Sequence, residues 1–586
     1  MSCVEPMTLG ILLRNVPWAG TPVRGNPSAA ATFLRRLWQR RGPAQGSTIF
    51  GAHVAAESII GSLARYGTID RYRIFTPPHL VSALKSSLGA DAKTFSVHGF
   101  YDISRVAGDV TAWFDPWPNF GILSYCRSTW SRRMCPVTVL FHALSYARIL
   151  RQNLLQILLA DSFPFDSLVC PSAAAMRAER SLLETVAASL ERNTGIRLAY
   201  HGRLDLIPHG VDTDLFKPRD KLELRLKLGL PRKACIILFL GRLSFIDKAD
   251  LFPLLFAFKD LAEKRAPAPK PFLVLAGSDP AGYARALEDF ARELGLRNSV
   301  KIIRRPSEAH LLLAAADIFV SPTDSLQESF GLSVIEAMAC GTPQVVSDWD
   351  GYRETVRHGV TGFLVPTYWA RSDSDICDIA PLFGNEWDYD HALLAQSVAV
   401  DNGKLRGYLE ALIANPGLRS EMSKNSRARA VSQFSWRVIV KQWEDLWREL
   451  SQCAGDVPMG GTSRMSYARP AYFEAFNHYA TEVLSDESQL RMTPLGRKLL
   501  AGRTPGLDTY PSVRTGLIEK ARLLQTLSEF NSTSSGYAPP AVPSGRKTLG
   551  EVAEALMGEN TRHARDLAKR QVFWLLKQGY VELAAE

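Results

Sequence analysis

Ser321-PTDSLQESFGLSVIEAMACGTPQVVSD, ending at Asp348, passes from a β-rich run through a polar loop into a helical stretch. The helix is expected to begin near Phe330 and Gly331. A helix start presents backbone N–H groups that lack intrahelical partners, at the positive end of the macrodipole. Phosphate oxygens suit such a terminus, and a glycine lets a ligand come close to the backbone. Glu328 precedes the helix and Glu336 lies two turns in, so at about 1.5 Å per residue they stand at most about 12 Å apart. Carboxylates accept hydrogen bonds from sugar hydroxyls, whereas a diphosphate between them needs donors. Two acids at this spacing are common by chance, and a solvated helix carboxylate is the plain alternative for each. The surrounding string raises the signal.

Working outward, residues 235 to 365 alternate short apolar runs with amphipathic stretches, which predicts a doubly wound parallel sheet with crossover helices. The runs are Cys235-IILFL, Phe272-LVLA, Val300-KII, Asp317-IFVSP, Pro343-QVVSD and Gly362-FLVP. Residues 7 to 208 read as a second, less regular α/β unit. Its best strands are Leu9-GILLR, Arg73-IF, Pro136-VTVLF and Ser167-LVC, and the Pro/Gly-containing stretch Val16 to Gly46 is expected to form a loop or lid. Trp436, Val440, Trp443 and Trp447 recur at helical spacing near residue 450. The expected divisions are 1–208, 209–452, a linker at 453–465, and a mostly helical unit at 466–586. In that last unit Thr548-LGE reads as a capping box, and the final helix, turn and strand look like the end of a winged helix.

Bulk composition narrows the class. The chain has 586 residues, 46% of them apolar and 22% charged, as in an ordinary globular protein. No apolar run approaches a membrane span, and no secretory leader is evident, so a cytosolic protein is expected. The eight scattered cysteines show neither metal-ligand nor disulfide spacing. The net charge of +10 is uneven: residues 1–150 hold 16 Lys or Arg against 7 Asp or Glu, a difference of +9. Such an excess suits an acidic acceptor, an anionic membrane face or nucleic acid, and equally a solvated basic surface. Arg562, Arg565, Lys569 and Arg570 lie beside Glu559 and Asp566, so a solvated helix face is expected there rather than a nucleic-acid surface.

The string from Ser321 to Asp348 stands in order with Leu206-IPHGVDTDLFKP, Gly241-RLSFIDKAD, Leu273-VLAGSD, Ala316-DIFVSPTD and Asp348-WDGYRETVRHGVTGFLVP. Together they resemble the donor half of the retaining glycosyltransferases of family 4. The resemblance covers roughly residues 200 to 450, and the first 200 residues match loosely. It implies the GT-B fold, two Rossmann-like domains facing across a cleft. It also implies a nucleotide-sugar donor (UDP-, GDP- or ADP-linked), an acceptor the sequence does not identify, and no metal or other cofactor. Carried over, Glu328 grips the transferred sugar, and Arg242 and Lys248 neutralise the leaving diphosphate. Glu336, Phe330, Gly331, Leu332, Gly241 and Gly277 bind the nucleotide. His142, at the end of Val137-TVLF, is expected to face the sugar, with a structural histidine as the alternative, and Gly51-AHVAAESIIGSLARYG is expected to border the acceptor cleft. The spacing from Arg242 to Lys248 is one residue longer than the family's, and His209 stands where asparagine is commoner. Asp350 and Tyr352 carry no assigned role. Rival readings are another GT-B enzyme, such as an epimerase or phosphorylase, and a binding or scaffold protein with a vestigial sugar site.

Overall fold

A computed structural model describes residues 6–14, 51–88, 94–141, 145, 150–263, 269–279, 282–306, 308–379, 389–455, 471–503, 506–514, 518–530, 546–557 and 562–584. The chain divides into two compact units, one of residues 1–76 and 80–467, the other of residues 77–79 and 468–586.

The first unit contains two parallel sheets. One comprises β1 (Thr8–Leu12), β2 (Arg71–Thr76), β3 (Phe95–Gly99), β4 (Ala112–Asp115), β5 (Val137–Leu140), β6 (Ser167–Cys170) and β7 (Arg203–Leu206) in the order β3-β2-β1-β4-β5-β6-β7. The other comprises β8 (Cys235–Leu240), β9 (Pro271–Gly277), β10 (Val300–Arg304), β11 (Ile318–Ser321), β12 (Gln344–Ser347) and β13 (Gly362–Val365) in the order β10-β9-β8-β11-β12-β13. Each order reverses once, between β1 and β4 and between β8 and β11, and crevices at the carboxyl ends of strands open at such points. A two-stranded antiparallel pair, β14 (Thr367–Trp369) with β15 (Val398–Val400), comes after β13.

The continuous apolar runs follow from burial on both faces. Along β8, Ile236, Leu238 and Leu240 join one core, while Cys235, Ile237 and Phe239 join the core on the opposite face. All six strands expected between 235 and 365 are present. The first sheet holds the four expected strands together with β3, β4 and β7, and its arrangement with the second sheet is the GT-B architecture.

Four helices border the sheet edges or the junction between the two domains: α1 (Gly51–Tyr66), α2 (Ala173–Thr194), α3 (Leu332–Ala339) and α4 (Trp436–Ala454). The chain leaves the first domain at Ile207–Val211 and re-enters it at Phe434–Trp436. Val211 and Ser435 form a parallel bridge where the two crossings run side by side. Helix α4 therefore packs into the core of the first domain, although the sequence places it at the end of the second. Trp443 and Trp447 lie against Phe114, with ring centroids 4.9 and 5.2 Å away, and Trp447 Nε1 donates to Thr138 Oγ1 at 2.9 Å. The Glu444 carboxylate accepts from the Tyr72 hydroxyl at 2.8 Å.

The second unit has its own core, which includes Leu490, Leu523, Leu527, Val552, Val572 and Leu575. It is mostly helical around a three-stranded antiparallel sheet, β16 (Gln489–Met492), β17 (Arg546–Thr548) and β18 (Val581–Leu583), in the order β17-β16-β18. The capping box is formed: Glu551 N donates to Thr548 Oγ1 at 3.1 Å and Thr548 N to Glu551 Oε2 at 2.7 Å. On its last helix Arg565 pairs with Glu554 at 3.2 Å and Lys569 pairs with Asp486. Among the described residues no helix is long and apolar enough to cross a membrane.

Candidate functional site

The residues singled out by the sequence gather at the carboxyl edge of the second sheet, where its strand order reverses. Gly241, Arg242 and Lys248 follow β8, and Glu328 to Leu332 follow its neighbour β11. Gly277 ends β9 and lies against this loop: a side chain there would run into the Gly241 carbonyl. The close approach lets Leu243 N donate to Ser278 O at 2.8 Å and fixes the course of the loop that carries Arg242.

Helix α3 starts from Gly331, whose φ of +96° lies in the region only glycine adopts without strain. The turn is also crowded, because a side chain at this position would meet the Tyr352 ring. Phe330 turns inward and packs edge-on to His209, with centroids 5.3 Å apart. It therefore anchors the turn from below and leaves the backbone to face the crevice. Leu332 is half-buried against the same core. The N–H groups of Leu332 and Ser333 meet no acceptor among the described residues, as expected of a helix start.

The charged groups form a compact set. Lys248 pairs with Glu328, and each side chain is only 12% exposed. Arg242 pairs with Asp247. Glu336 is buried in α3; burial pushes its carboxyl up to about 8, and the positive charge of Lys248 opposes that rise. Lys248 thus acts on both acids, and the longer spacing from Arg242 still delivers it to the site. His209 is buried as well, and desolvation lowers it to about 4, which keeps its ring neutral.

Three groups at the site escaped sequence reasoning. Tyr352, wholly buried, bonds through its hydroxyl to Ser321 Oγ at 2.9 Å and donates to Glu328 Oε2 at 3.2 Å. Asp247 is the partner of Arg242, supplied by the same lengthened loop. Asp324 accepts from Asp250 N at 3.2 Å, and burial raises its carboxyl to about 7. The only signal for Tyr352 was the unusual Asp-Gly-Tyr after β12, which gave no hint of contact with β11.

The carboxyl edges of the two sheets face each other. Ser145 Oγ, beyond β5, donates to Gln327 Oε1 at 2.9 Å. Ser172 Oγ, at the start of α2, bonds to Asp350 Oδ1 at 3.5 Å. Glu354 accepts from Ala173 N at 2.7 Å and Ala174 N at 3.1 Å, filling the N-terminus of α2 with a carboxylate from the opposite domain. Asp350 reaches across with its backbone at φ +42°, and burial, then the negative charge of Glu328, raises its carboxyl to about 7. Glu328 adjoins Gln327, the residue that Ser145 reaches from the first domain. His142 and the stretch Val16 to Gly46 lie outside the described residues. Gly51 to Tyr66 forms helix α1, whose Ile59, Ile60 and Leu63 are core residues.

Comparison with known proteins adds three findings. Residues 220–376 match the family described as glycosyl transferases group 1. A D-inositol 3-phosphate glycosyltransferase of Thermobispora bispora is 34% identical over 192 residues, 30% of this chain and 44% of that one. Its counterpart in Mycolicibacterium gilvum is 34% identical over 221 residues, 36% of this chain and 47% of that one. The chain thus spans less than half the length of these curated relatives. Among solved structures, Anabaena HepE in complex with UDP and glucose is similar over 76% of this chain and 100% of that one, at 17% identity and a TM-score of 0.47.

Proposed function

We propose, from the premise that residues 220–376 are a group 1 glycosyl transferase region, that this protein transfers a sugar from a nucleotide diphosphate sugar to an acceptor with retention of anomeric configuration. The observation that carries the reading is the convergence, at the β8/β11 reversal, of a helix start, two cations and two carboxylates from separate parts of the chain.

In this reading the diphosphate lies at the start of α3, where the backbone donors of Leu332 and Ser333 and the charges of Arg242 and Lys248 meet the negative charge that grows as the bond to the sugar breaks. Donor entry competes with Asp247 for Arg242 and with Glu328 for Lys248. Glu328, once released, accepts from hydroxyls of the sugar, and Glu336 from those of the ribose. The reading invokes no protein nucleophile. The leaving phosphate takes the acceptor's proton on the face from which it departs, and the scheme calls for no metal. Closing the crevice between the sheet edges keeps water from the reacting carbon. UDP, GDP and ADP sugars all satisfy these contacts. The matched region lies within the second domain and speaks to the donor, so the acceptor is a separate question. The enzyme is assigned to the cytoplasm, with the basic first domain as its contact with an anionic membrane face.

The test is mass spectrometry of products from the full chain incubated with UDP-, GDP- and ADP-sugars and candidate acceptors. Arg242→Ala and Glu328→Ala are each expected to lower transfer by about 100-fold or more. Full activity in both variants would remove the donor site, and turnover without an acceptor, or dependence on free phosphate, would favour an epimerase or a phosphorylase.

A further inference from the structure

The carboxyl edge of the first sheet holds an arrangement that the donor chemistry leaves unused. Arg14 follows β1 and Asp115 ends β4, the adjacent parallel strands at which that sheet's order reverses. Asp115 is 1% exposed and both its oxygens are engaged: Oδ1 accepts from Trp117 N at 2.9 Å and Oδ2 from Asn119 Nδ2 at 2.8 Å. With its amide nitrogen committed to Asp115, Asn119 turns its carbonyl oxygen the other way, where it accepts from Arg14 Nη2. A buried carboxylate thus orients an amide, and the amide orients a guanidinium. Support of this layered kind fixes groups that bind ligands.

The partner of Arg14 is the telling feature. Elsewhere in this domain Arg127 is paired with Asp166 at 2.6 Å, Arg73 with Asp109 at 2.5 Å and Arg65 with Asp214 at 2.7 Å. Arg14 is held by a neutral amide, makes no ion pair among the described residues and is exposed. Among the described residues it bonds only to Asn119, which leaves most of the five guanidinium donors for another group. The same sheet edge carries Ser145, which reaches Gln327, the neighbour of Glu328. A ligand on Arg14 therefore lies on the edge that faces the donor site.

We propose that Arg14, oriented by Asn119 and Asp115, binds the oxyanion of an acceptor that carries a phosphomonoester or carboxylate in addition to the hydroxyl that receives the sugar. The guanidinium fork matches either oxyanion through paired N–H···O bonds. The proposal rests on the glycosyltransferase reading for the identity of the ligand as acceptor, and the experiment separates the two.

Titration calorimetry of the full-length wild type with UDP, GDP and ADP tests the donor reading alone; no binding of any of them would sink that reading and leave the anion site to be judged by its own ligands. Transfer is then measured with glucose, glucose 6-phosphate and glucuronate, and with inositol and an inositol monophosphate, using wild type, Arg14→Gln, Arg14→Lys and Asn119→Asp. The charged member of each set is expected to be preferred in kcat/KM by about 30-fold, as for hydrogen bonds to a charged group. That ratio should collapse in Arg14→Gln and in Asn119→Asp, which sets a carboxylate against the guanidinium, and persist in part in Arg14→Lys. Preference for glucose 6-phosphate over glucuronate assigns the phosphomonoester, and the reverse assigns the carboxylate. Neutral acceptors used as well as charged ones by the wild type, or equal losses for both in Arg14→Gln, would overturn the proposal. Should no acceptor turn over, inorganic phosphate titrated into wild type and Arg14→Gln decides: binding lost in the variant supports the site, and equal binding refutes it.

Discussion

Replacing Tyr352 with phenylalanine isolates what its hydroxyl does, because the ring that fills the space beside Gly331 stays in place. The phenolic proton is given to Glu328 Oε2 at 3.2 Å, so Ser321, 2.9 Å away, must donate its own hydroxyl proton to the phenol oxygen. Without that oxygen Ser321, wholly buried, loses its acceptor, at a cost of about 1–3 kcal/mol. Glu328 keeps Lys248 but loses the hydrogen bond that it accepts from Tyr352. A loss of about 1.4 kcal/mol of transition-state stabilisation corresponds to about a tenfold fall in kcat. The discriminating assay adds Ser321→Ala. In the double variant both partners of the internal hydrogen bond are gone, so about 1–2 kcal/mol of stability should return relative to the sum of the single losses. Catalysis should not return, since Glu328 remains unguided. Urea denaturation followed by tryptophan fluorescence measures the first quantity, and steady-state transfer at saturating donor the second. Activity that recovers in parallel with stability would show that Tyr352 serves the fold alone. Activity of Tyr352→Phe within twofold of the wild type would refute the positioning argument.

Glu179 is wholly buried, neither of its carboxylate oxygens has a partner among the described residues, and burial pushes its carboxyl up to about 8. Since the folded value lies above the unfolded one, the stability contributed by the protonated form is complete below about pH 4.5 and is lost as pH rises through about 8. Glu179→Leu should therefore stabilise the protein by about 2–4 kcal/mol at pH 8.5 and by far less at pH 5, as judged by denaturation at the two pH values. Trp447→Ala removes the packing against Phe114 and the bond to Thr138, and should cost about 3–5 kcal/mol by the same measurement; a loss below about 1 kcal/mol would contradict the packing of α4 into the first domain. The basic first domain should bind anionic vesicles at low salt and release them as salt rises through about 0.15 M, where the Debye length is about 8 Å; absence of binding at low salt in a sedimentation assay would leave that charge without a membrane role.

Much of this protein is fixed by local pattern. The six strands of the second sheet are apolar runs buried on both faces, and such runs need no knowledge of their neighbours to be recognised. Gly331 and the acids on either side of it are close in sequence, so the helix start and its flanking carboxylates are local as well. The first sheet was harder to read for a physical reason. β3 and β7 are edge strands that are only partly buried and carry no continuous apolar run, and β4 is four residues long and runs into Asp115-PWPN. The tryptophan stripe of α4 announced a buried helix face, but which core it enters depends on the second crossing between the domains, a matter of topology on which helical spacing is silent. The partners of the site residues are likewise decided only in three dimensions. Lys248 meets Glu328 across 80 residues, Tyr352 meets it across 24, and Asn119 meets Arg14 across 105. Periodicity records which face of an element is apolar. Strand order, set by how the whole sheet buries its two faces, decides which loops end up side by side, and so which charges find each other.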